Sequence, residues 1–486
     1  MDSPVVSSAE MRAAEEAAFA RDVTAEALMD EAAAGIAAAV AKFFPHPGRC
    51  LVFAGKGNNA GDAFAAAHLL QDRGWRVETH LAFPENELGP LAEKKMRALR
   101  KDAEHKTARP SIVLDGLLGV GAKLPLRAPI AKACREINRL RRDEYAFVFA
   151  VDLPTGLDSE TGAADPDCVI ADFTLTIGFA KRGLFADHAL DYVGRIERIL
   201  LPDLAPPPGG ETLLADAASL RGLLARRNFG AYKNEFGRVG VVAGSKGLTG
   251  AAVLCATGAL RGGAGLVELF VPAGIYEIVA AAAPPEAMVK PIVSYASLVH
   301  EPIAVWAIGP GLGEANADEI RQLIAQAPEP MVVDADALNI LARDPAILRQ
   351  AKGPRLLTPH PGEMKRLFPN ECATRAEQAR QFCAAHKVTL LLKGSRTIVA
   401  ESSQPLSYNT TGNPGMATGG MGDVLTGVCA ALLAQKLIPF DAARLGAWLC
   451  GRAAEIAIFD DGASEESLLP SDVIANLGGA FRDLRL

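Results

Sequence analysis

Short, unbroken apolar runs alternate along this chain with stretches of helical periodicity. Residues 7–43 hold no proline and one glycine, and Met11, Ala14, Ala18, Leu28, Met29, Ile36 and Val40 predict one or two amphipathic helices. Ser7, three residues before Glu10, supplies a capping start, and Pro45 and Pro47 close the region. Residues 50–54 read as a buried strand, followed by the loop GKGNNAGDAF (55–64) and a helix through Leu70. Further strands are predicted over 112–114, 147–151 and 173–177, so the first half alternates strand and helix as a doubly wound α/β domain does. The run PDLAPPPGG (202–210) interrupts the pattern and reads as a linker. Two domains are therefore expected, 1–207 and 208–486. The pattern then begins again. A strand over 239–243 runs into the glycine loop 244–250 and a helix from Ala251, with more strands over 266–271, 304–308, 331–333, 355–357 and 389–392. Near the end, Val424, Leu425, Val428 and Leu432 return at helical spacing.

A length of 486 residues suits two cores better than one. The chain is 49% hydrophobic and 22% charged, the balance of a globular protein. Its net charge of −7 argues against nucleic acid and anionic membrane surfaces as partners, so an anionic ligand must be held by local donors. The eight cysteines form no CxxC pair, which points to a reducing compartment. The N-terminus has no apolar signal-like core and no run reaches transmembrane length, so a cytoplasmic protein is expected. The oligomeric state is open, and a homo-oligomer is compatible with it.

The chemistry concentrates where apolar runs end. In NPGMATGGMGDVLTG (413–427), Gly419, Gly420 and Gly422 are predicted to sit just ahead of a helix N-terminus, where free N–H groups and the helix dipole attract an anion. Asp423 stands at that mouth. A carboxylate there suits a general base acting on a hydroxyl that attacks a phosphoryl group; it equally suits an acidic helix start. The 55–64 loop is no Walker A motif. Gly55, Gly57 and Ala60 fit the G-x-G-x-x-A dinucleotide pattern, with Glu78 expected at a later strand end. Asn58, Asn59 and Asp62 add oxygens able to face a cation, a sugar or a phosphate. Asp115 and Asp152 each end a short strand, the edge where parallel sheets bind ligands and also where helix caps occur.

These motifs, taken together and in order, resemble a known family. Gly244–Gly250, Asp334–Asn339, His360-Pro-Gly-Glu363, Lys393–Thr397 and 413–427 resemble the ribokinase-like NAD(P)H-hydrate dehydratases. GKGNNAGDAF and Asp152-Leu-Pro-Thr-Gly156 resemble the NAD(P)H-hydrate epimerases. Their order in one chain is similar to that of the bifunctional NAD(P)H-hydrate repair enzymes. The resemblance implies a Rossmann-like first domain and a ribokinase-like second one. It implies that the first interconverts R and S hydrates of NADH and NADPH, and that the second dehydrates the S hydrate with ADP and Mg²⁺, releasing AMP and phosphate.

By the same resemblance Asp423 is the catalytic base, and Ala251, Gly311 and His360 line the hydrated-nicotinamide pocket. Gly422 and Lys393, Gly394, Ser395, Arg396 and Thr397 hold the nucleotide. In the first domain Asn58, Asn59, Ala60, Gly61 and Asp62, and Gly119, Val120, Gly121, Ala122, Lys123, Leu124 and Pro125, contact substrate. Asp152 binds it and acts as acid or base, while Asn59, Asp115 and Thr155 offer oxygens to K⁺. Two departures stand out. The family's GNNGGDG reads GNNAGDA here, so Ala60 and Ala63 carry methyls that crowd a close backbone approach. Thr155 replaces a common serine but keeps the hydroxyl. Competing readings are a vitamin or sugar kinase on the same fold, a first half that only binds a dinucleotide or protein, and an NAD-dependent dehydrogenase.

Overall fold

The computed structural model describes residues 3–100 and 110–485. The chain divides into two compact units, one ending at Glu211 and the other beginning at Thr212. The observed change of unit thus falls just after the proline-rich stretch, four residues beyond the expected 207/208 boundary.

The first unit opens with helices α1 (Ser8–Phe19) and α2 (Ala25–Phe43). Ser7 and Glu10 form a reciprocal capping box at the start of α1. A parallel sheet follows, of strands β1 (Arg49–Ala54), β2 (Arg76–Leu81), β3 (Ser111–Gly116), β4 (Phe147–Val151), β5 (Phe173–Ile177) and β6 (Arg195–Ile199). The spatial order is β2-β1-β3-β4-β5-β6. The chain turns outward in opposite directions from β1 and β3, so the crevice at their C-terminal ends is a switch point, the usual ligand site of such sheets. Helix α3 (Asn58–Asp72) starts directly after β1, earlier than the 55–64 loop suggested. Glu78 lies inside β2, not at its end, and its carboxylate is clasped by Arg49 at 3.0 Å, so it is not placed for a ribose. In the core Phe173 stacks on Phe149 and packs tilted against Phe43, with ring centroids 4.6 Å apart in each pair. Separately, Val5–Val6 pairs in parallel with Ala180–Lys181, tying the start of the chain to the segment after β5.

The second unit holds a sheet of β7 (Thr212–Ala215), β8 (Arg238–Val242), β9 (Leu266–Pro272), β10 (Ala287–Ile292), β11 (Val305–Ile308), β12 (Met331–Val333), β13 (Arg355–Leu357), β14 (Thr389–Leu392), β15 (Ile398–Ala400) and β16 (Leu406–Asn409). The order is β10-β9-β8-β11-β12-β13-β14-β15-β16-β7. Pairing is parallel as far as β14, antiparallel through β15 to β16, and parallel again between β16 and β7. Helix α4 (Thr249–Arg261) packs on α5 (Met421–Ala434) at backbone contact distance. A Cβ on Gly258 would lie 2.6 Å from the Val424 carbonyl oxygen. Helix α5 begins at Met421, three residues before the predicted start, so Gly422 and Asp423 belong to its first turn and only Gly419 and Gly420 precede it. No helix among the described residues is long and apolar enough to cross a membrane.

Candidate active sites

In the first unit a cavity of about 610 Å³ opens at the switch point. Asn58, Asn59 and Asp62 enter from the first turns of α3, Gly119 to Lys123 from the segment after β3, and Asp152 from the end of β4. Ala60 and Gly61 are instead buried within α3, and Leu124 and Pro125 fall outside the lining. Ala60 and Ala63 are fully buried helical residues. The Ala63 methyl sits under β3, 2.5 Å from where a Cβ on Gly116 would stand. Both departures from the family loop therefore fill core space and do not narrow the cavity.

Asp115 closes β3 with no exposed surface. Its carboxylate accepts from the Thr155 backbone N–H (2.8 Å), the Thr155 hydroxyl (2.7 Å) and the Leu117 N–H (3.3 Å). Burial nevertheless pushes its pKa up to about 6. Thr155 Oγ1 in turn accepts from Leu118 N–H at 3.1 Å. Asn59 lies against Gly119, and its Nδ2 is buried with no partner among the described residues. The donor set there is oxygen-rich with one buried carboxylate, which suits a large, hard cation.

Asp152 adopts φ +69°, a left-handed conformation uncommon for a residue with a side chain. It aims the carboxylate at Lys181, which is 1% exposed and pairs with Oδ1. Lys181 also donates to the Ile177 carbonyl (2.8 Å), while Ile177 N–H donates to Asp152 Oδ1 (3.1 Å). Sequence reasoning ended this strand at Ile177 and gave Lys181 no role. It also missed Glu15, which α1 brings into the cavity with Met11. The signal was present, because Glu15 lies four residues after Met11 and so shares its face. Burial, then the Asp152 and Glu15 carboxylates, holds the Asp62 carboxyl well above the usual range, against the pull of Lys181.

In the second unit the predicted residues converge around Asp334, which ends β12 and is 1% exposed. Lys393 Nζ donates to its Oδ1 (2.7 Å) and the Thr426 hydroxyl to its Oδ2 (2.8 Å). Lys393 thus points inward, away from the rest of its segment. Gly394 and Ser395 are exposed and Arg396 and Thr397 partly so. Burial disfavours the Lys393 charge, yet Asp334 and Glu363 more than offset it and keep its pKa raised. Glu363 accepts from His360 N–H (2.8 Å) and lies 4.0 Å from Lys393. His360 caps the following short helix, its Nδ1 accepting from Gly362 N–H at 3.0 Å, and half of its ring remains exposed. Gly311, at φ +59°, lies so close to Ala251 that a Cβ there would stand 2.9 Å from the alanine methyl. The two therefore share one wall.

Gly420, at φ +95°, turns the chain into α5 with no side-chain cap, so the first N–H groups of the helix are left for a ligand. A Cβ on Gly422 would come within 3.1 Å of Lys393 Nζ, which places the lysine at that same helix mouth. Burial and then the Asp334 carboxylate push the Asp423 carboxyl up to about 7, against Lys393. A carboxyl near neutrality beside an anion cradle and a buried cation is equipped to take a proton from a hydroxyl while the cradle receives a phosphoryl group.

Comparison with known proteins agrees with this geometry. Residues 239–476 match the family model described as NAD(P)H-hydrate dehydratase, and residues 25–183 match that described as YjeF-related protein N-terminus. A protein of Moorella thermoacetica named bifunctional NAD(P)H-hydrate repair enzyme is 37% identical, the match covering 90% of this chain and 88% of that protein. One of the same name from Gloeobacter violaceus is 35% identical over 93% of this chain and 95% of its own. The Escherichia coli protein of that name is 34% identical over 89% and 85%. Among solved structures, the ADP/ATP-dependent NAD(P)H-hydrate dehydratase of Bacillus subtilis, crystallised with ATP and Mg²⁺, aligns with a TM-score of 0.50 and 27% identity, covering 56% of this chain and 98% of its own. With two sites built at the predicted motifs and likeness running through both halves, this chain belongs to the bifunctional NAD(P)H-hydrate repair enzymes.

Proposed function

We propose that the second unit restores NADH and NADPH from their S hydrates using ADP, and that the first unit interconverts the R and S hydrates to supply it. The hydrate carries a hydroxyl at C6 of the nicotinamide ring, and hydroxide is a poor leaving group. Asp423 takes the proton of that hydroxyl as its oxygen attacks the β-phosphoryl group of ADP, and AMP departs. The C6–O bond then breaks as the ring nitrogen supplies the electron pair, phosphate leaves, and loss of a proton from C5 of the resulting C6–N iminium restores the C5–C6 double bond of the reduced ring. The N–H groups at Gly420–Gly422 receive the phosphoryl group, Lys393 neutralises charge beside it, Gly394–Thr397 hold the nucleotide, and Ala251, Gly311 and His360 bound the ring. The single observation that carries this reading is the placement of Asp423, with a carboxyl pushed up to about 7, in the first turn of an uncapped helix beside Lys393.

Mg²⁺ supplies charge neutralisation on the phosphates. Among the described residues no group of three or more His, Cys, Asp or Glu side chains is set to hold a metal. That fits Mg²⁺, which binds chiefly through substrate phosphates and needs only one or two carboxylates; Glu363 and Asp334 are the carboxylates at hand. In the first unit Asn59, Asp115 and Thr155 are the oxygen donors proposed for K⁺, and Asn58, Asn59, Asp62, Gly119–Lys123 and Asp152 the substrate contacts. The eight cysteines are free, and we assign the enzyme to the cytoplasm.

The test uses hydrated NADH as a mixture of C6 epimers with ADP, Mg²⁺ and K⁺, following recovery of reduced-nicotinamide absorbance. The expected result is complete recovery by the wild type, recovery of the S fraction alone by Asp152→Asn, and none by Asp423→Asn. Absence of recovery with either ADP or ATP would refute the reading.

A further inference from the structure

The epimerase cavity contains a cluster that the roles above leave unexplained. Three carboxylates, Glu15, Asp62 and Asp152, face one ammonium, Lys181, and all four line the same cavity. They come from four places: α1, the second turn of α3, the end of β4, and the segment after β5 that pairs with Val5–Val6. Lys181 donates to Asp152 Oδ1 and to the Ile177 carbonyl. Asp62 has no such partner among the described residues. The two aspartates therefore share a cavity but not an environment, and environments of that kind separate an acid from a base.

We infer that Asp62 and Asp152 divide the acid and base roles of epimerisation, with Lys181 as the positioning residue that orients Asp152 and balances its charge. This inference rests on the epimerase reading above. Asp62 donates its proton to the departing C6 hydroxyl. The C6–O bond breaks, water leaves, and the ring nitrogen lone pair closes a C6–N double bond. Water then adds to C6 from the opposite face, Asp152 takes its proton, and the electron pair returns to nitrogen. One proton has passed from Asp62 to Asp152, and its return through the cavity, with Glu15 beside both, resets the site without any redox partner. Burial and the adjoining carboxylates keep the Asp62 carboxyl well above the usual range, as the acid requires. Of the other charged groups lining the cavity, Lys56 is paired with Glu87, and Lys123 and Arg127 come from the segment after β3. Lys181 is the cation that opposes Asp62, and Arg12 joins it in opposing Glu15.

The test uses the full chain, because dehydration of the S hydrate reports separately on the second unit. Asp62→Asn is nearly isosteric and should recover the S fraction at the wild-type rate, with epimerisation slowed at least 100-fold, as for loss of an acid–base group. Its melting temperature should not fall, since it relieves carboxylate crowding. Lys181→Met should slow epimerisation by about tenfold or more, because the Asp152 carboxylate loses the ammonium that orients it, and Lys181→Arg should restore part of the rate. Asp62→Asn epimerising within threefold of wild type, or Lys181→Arg recovering none of the rate lost in Lys181→Met, would overturn the division of roles. A wild type that stops at the S fraction would instead overturn the epimerase reading and this inference with it.

Discussion

Asp423→Asn should abolish dehydration and at the same time make the second unit more stable. The carboxyl is pushed from an unfolded value of 3.8 to about 7 by burial and by Asp334. A carboxylate whose folded pKa is raised destabilises the fold when ionised. The penalty is small below pH 4, grows as pH rises between the two values, and levels off above about pH 7. At about 1.36 kcal/mol per unit the full shift corresponds to roughly 4 kcal/mol, and solvent at the open helix mouth reduces this to about 2–4 kcal/mol. Asparagine has nearly the same shape and carries no charge. At pH 8 the variant's transition should rise by about 5–10 °C, and at pH 4 the two proteins should melt within about 2 °C of each other. Tryptophan fluorescence is the assay, since Trp306 and Trp448 lie in the second unit and only Trp75 in the first. A variant no more stable than wild type at pH 8 would show that Asp423 is not held against its ionisation, and would remove the main support for its role as base.

Thr155→Val should destabilise the first unit by about 2–3 kcal/mol, because it leaves the buried Asp115 carboxylate one donor short; Thr155→Ser should stay within about 1 kcal/mol, and chemical denaturation decides. Replacing K⁺ by choline should slow epimerisation and leave dehydration of the S hydrate unchanged, measured in the epimer-mixture assay. Ala63→Gly should cost about 1 kcal/mol or more through helix propensity and lost core contact, and should bring no gain in epimerisation rate. Gly258→Ala should drive a methyl into the Val424 carbonyl and separate α4 from α5, costing about 3 kcal/mol and much of the dehydratase activity.

The sequence announced both sheets wherever an apolar run stopped at a glycine or aspartate, as at Ala54-Gly55, Val151-Asp152 and Ile308-Gly309, because parallel strands are buried on both faces and end abruptly. The edge pieces were less legible. Ile398–Ala400 is only three residues long, and Thr212–Ala215 follows the linker without alternation. The start of α5 was misplaced because Met421-Gly422-Asp423 carries no side-chain cap and little apolar signal. Asp334, His360, Lys393 and Asp423 were visible as candidates, since each follows a strand or opens a helix. Their mutual arrangement was not: Lys393 belongs with Asp334 and not with its own exposed segment. Lys181 and Glu15 escaped for a similar reason, since their meaning arises only where α1 and the segment after β5 come together.

The short pairing of Val5–Val6 with Ala180–Lys181 also sets a schedule for biosynthesis. The chain's first strand must wait, while the whole of the first sheet up to β5 is made, before its partner emerges from the ribosome. Until then Glu15 and Lys181 have no common cavity. The epimerase site is therefore assembled late, by the closing of a long loop, although its glycine loop and α3 are made early. An expression tag fused tightly before Val5, or a fragment cut before residue 180, interferes with that closing step, and both are best avoided when the first unit is produced.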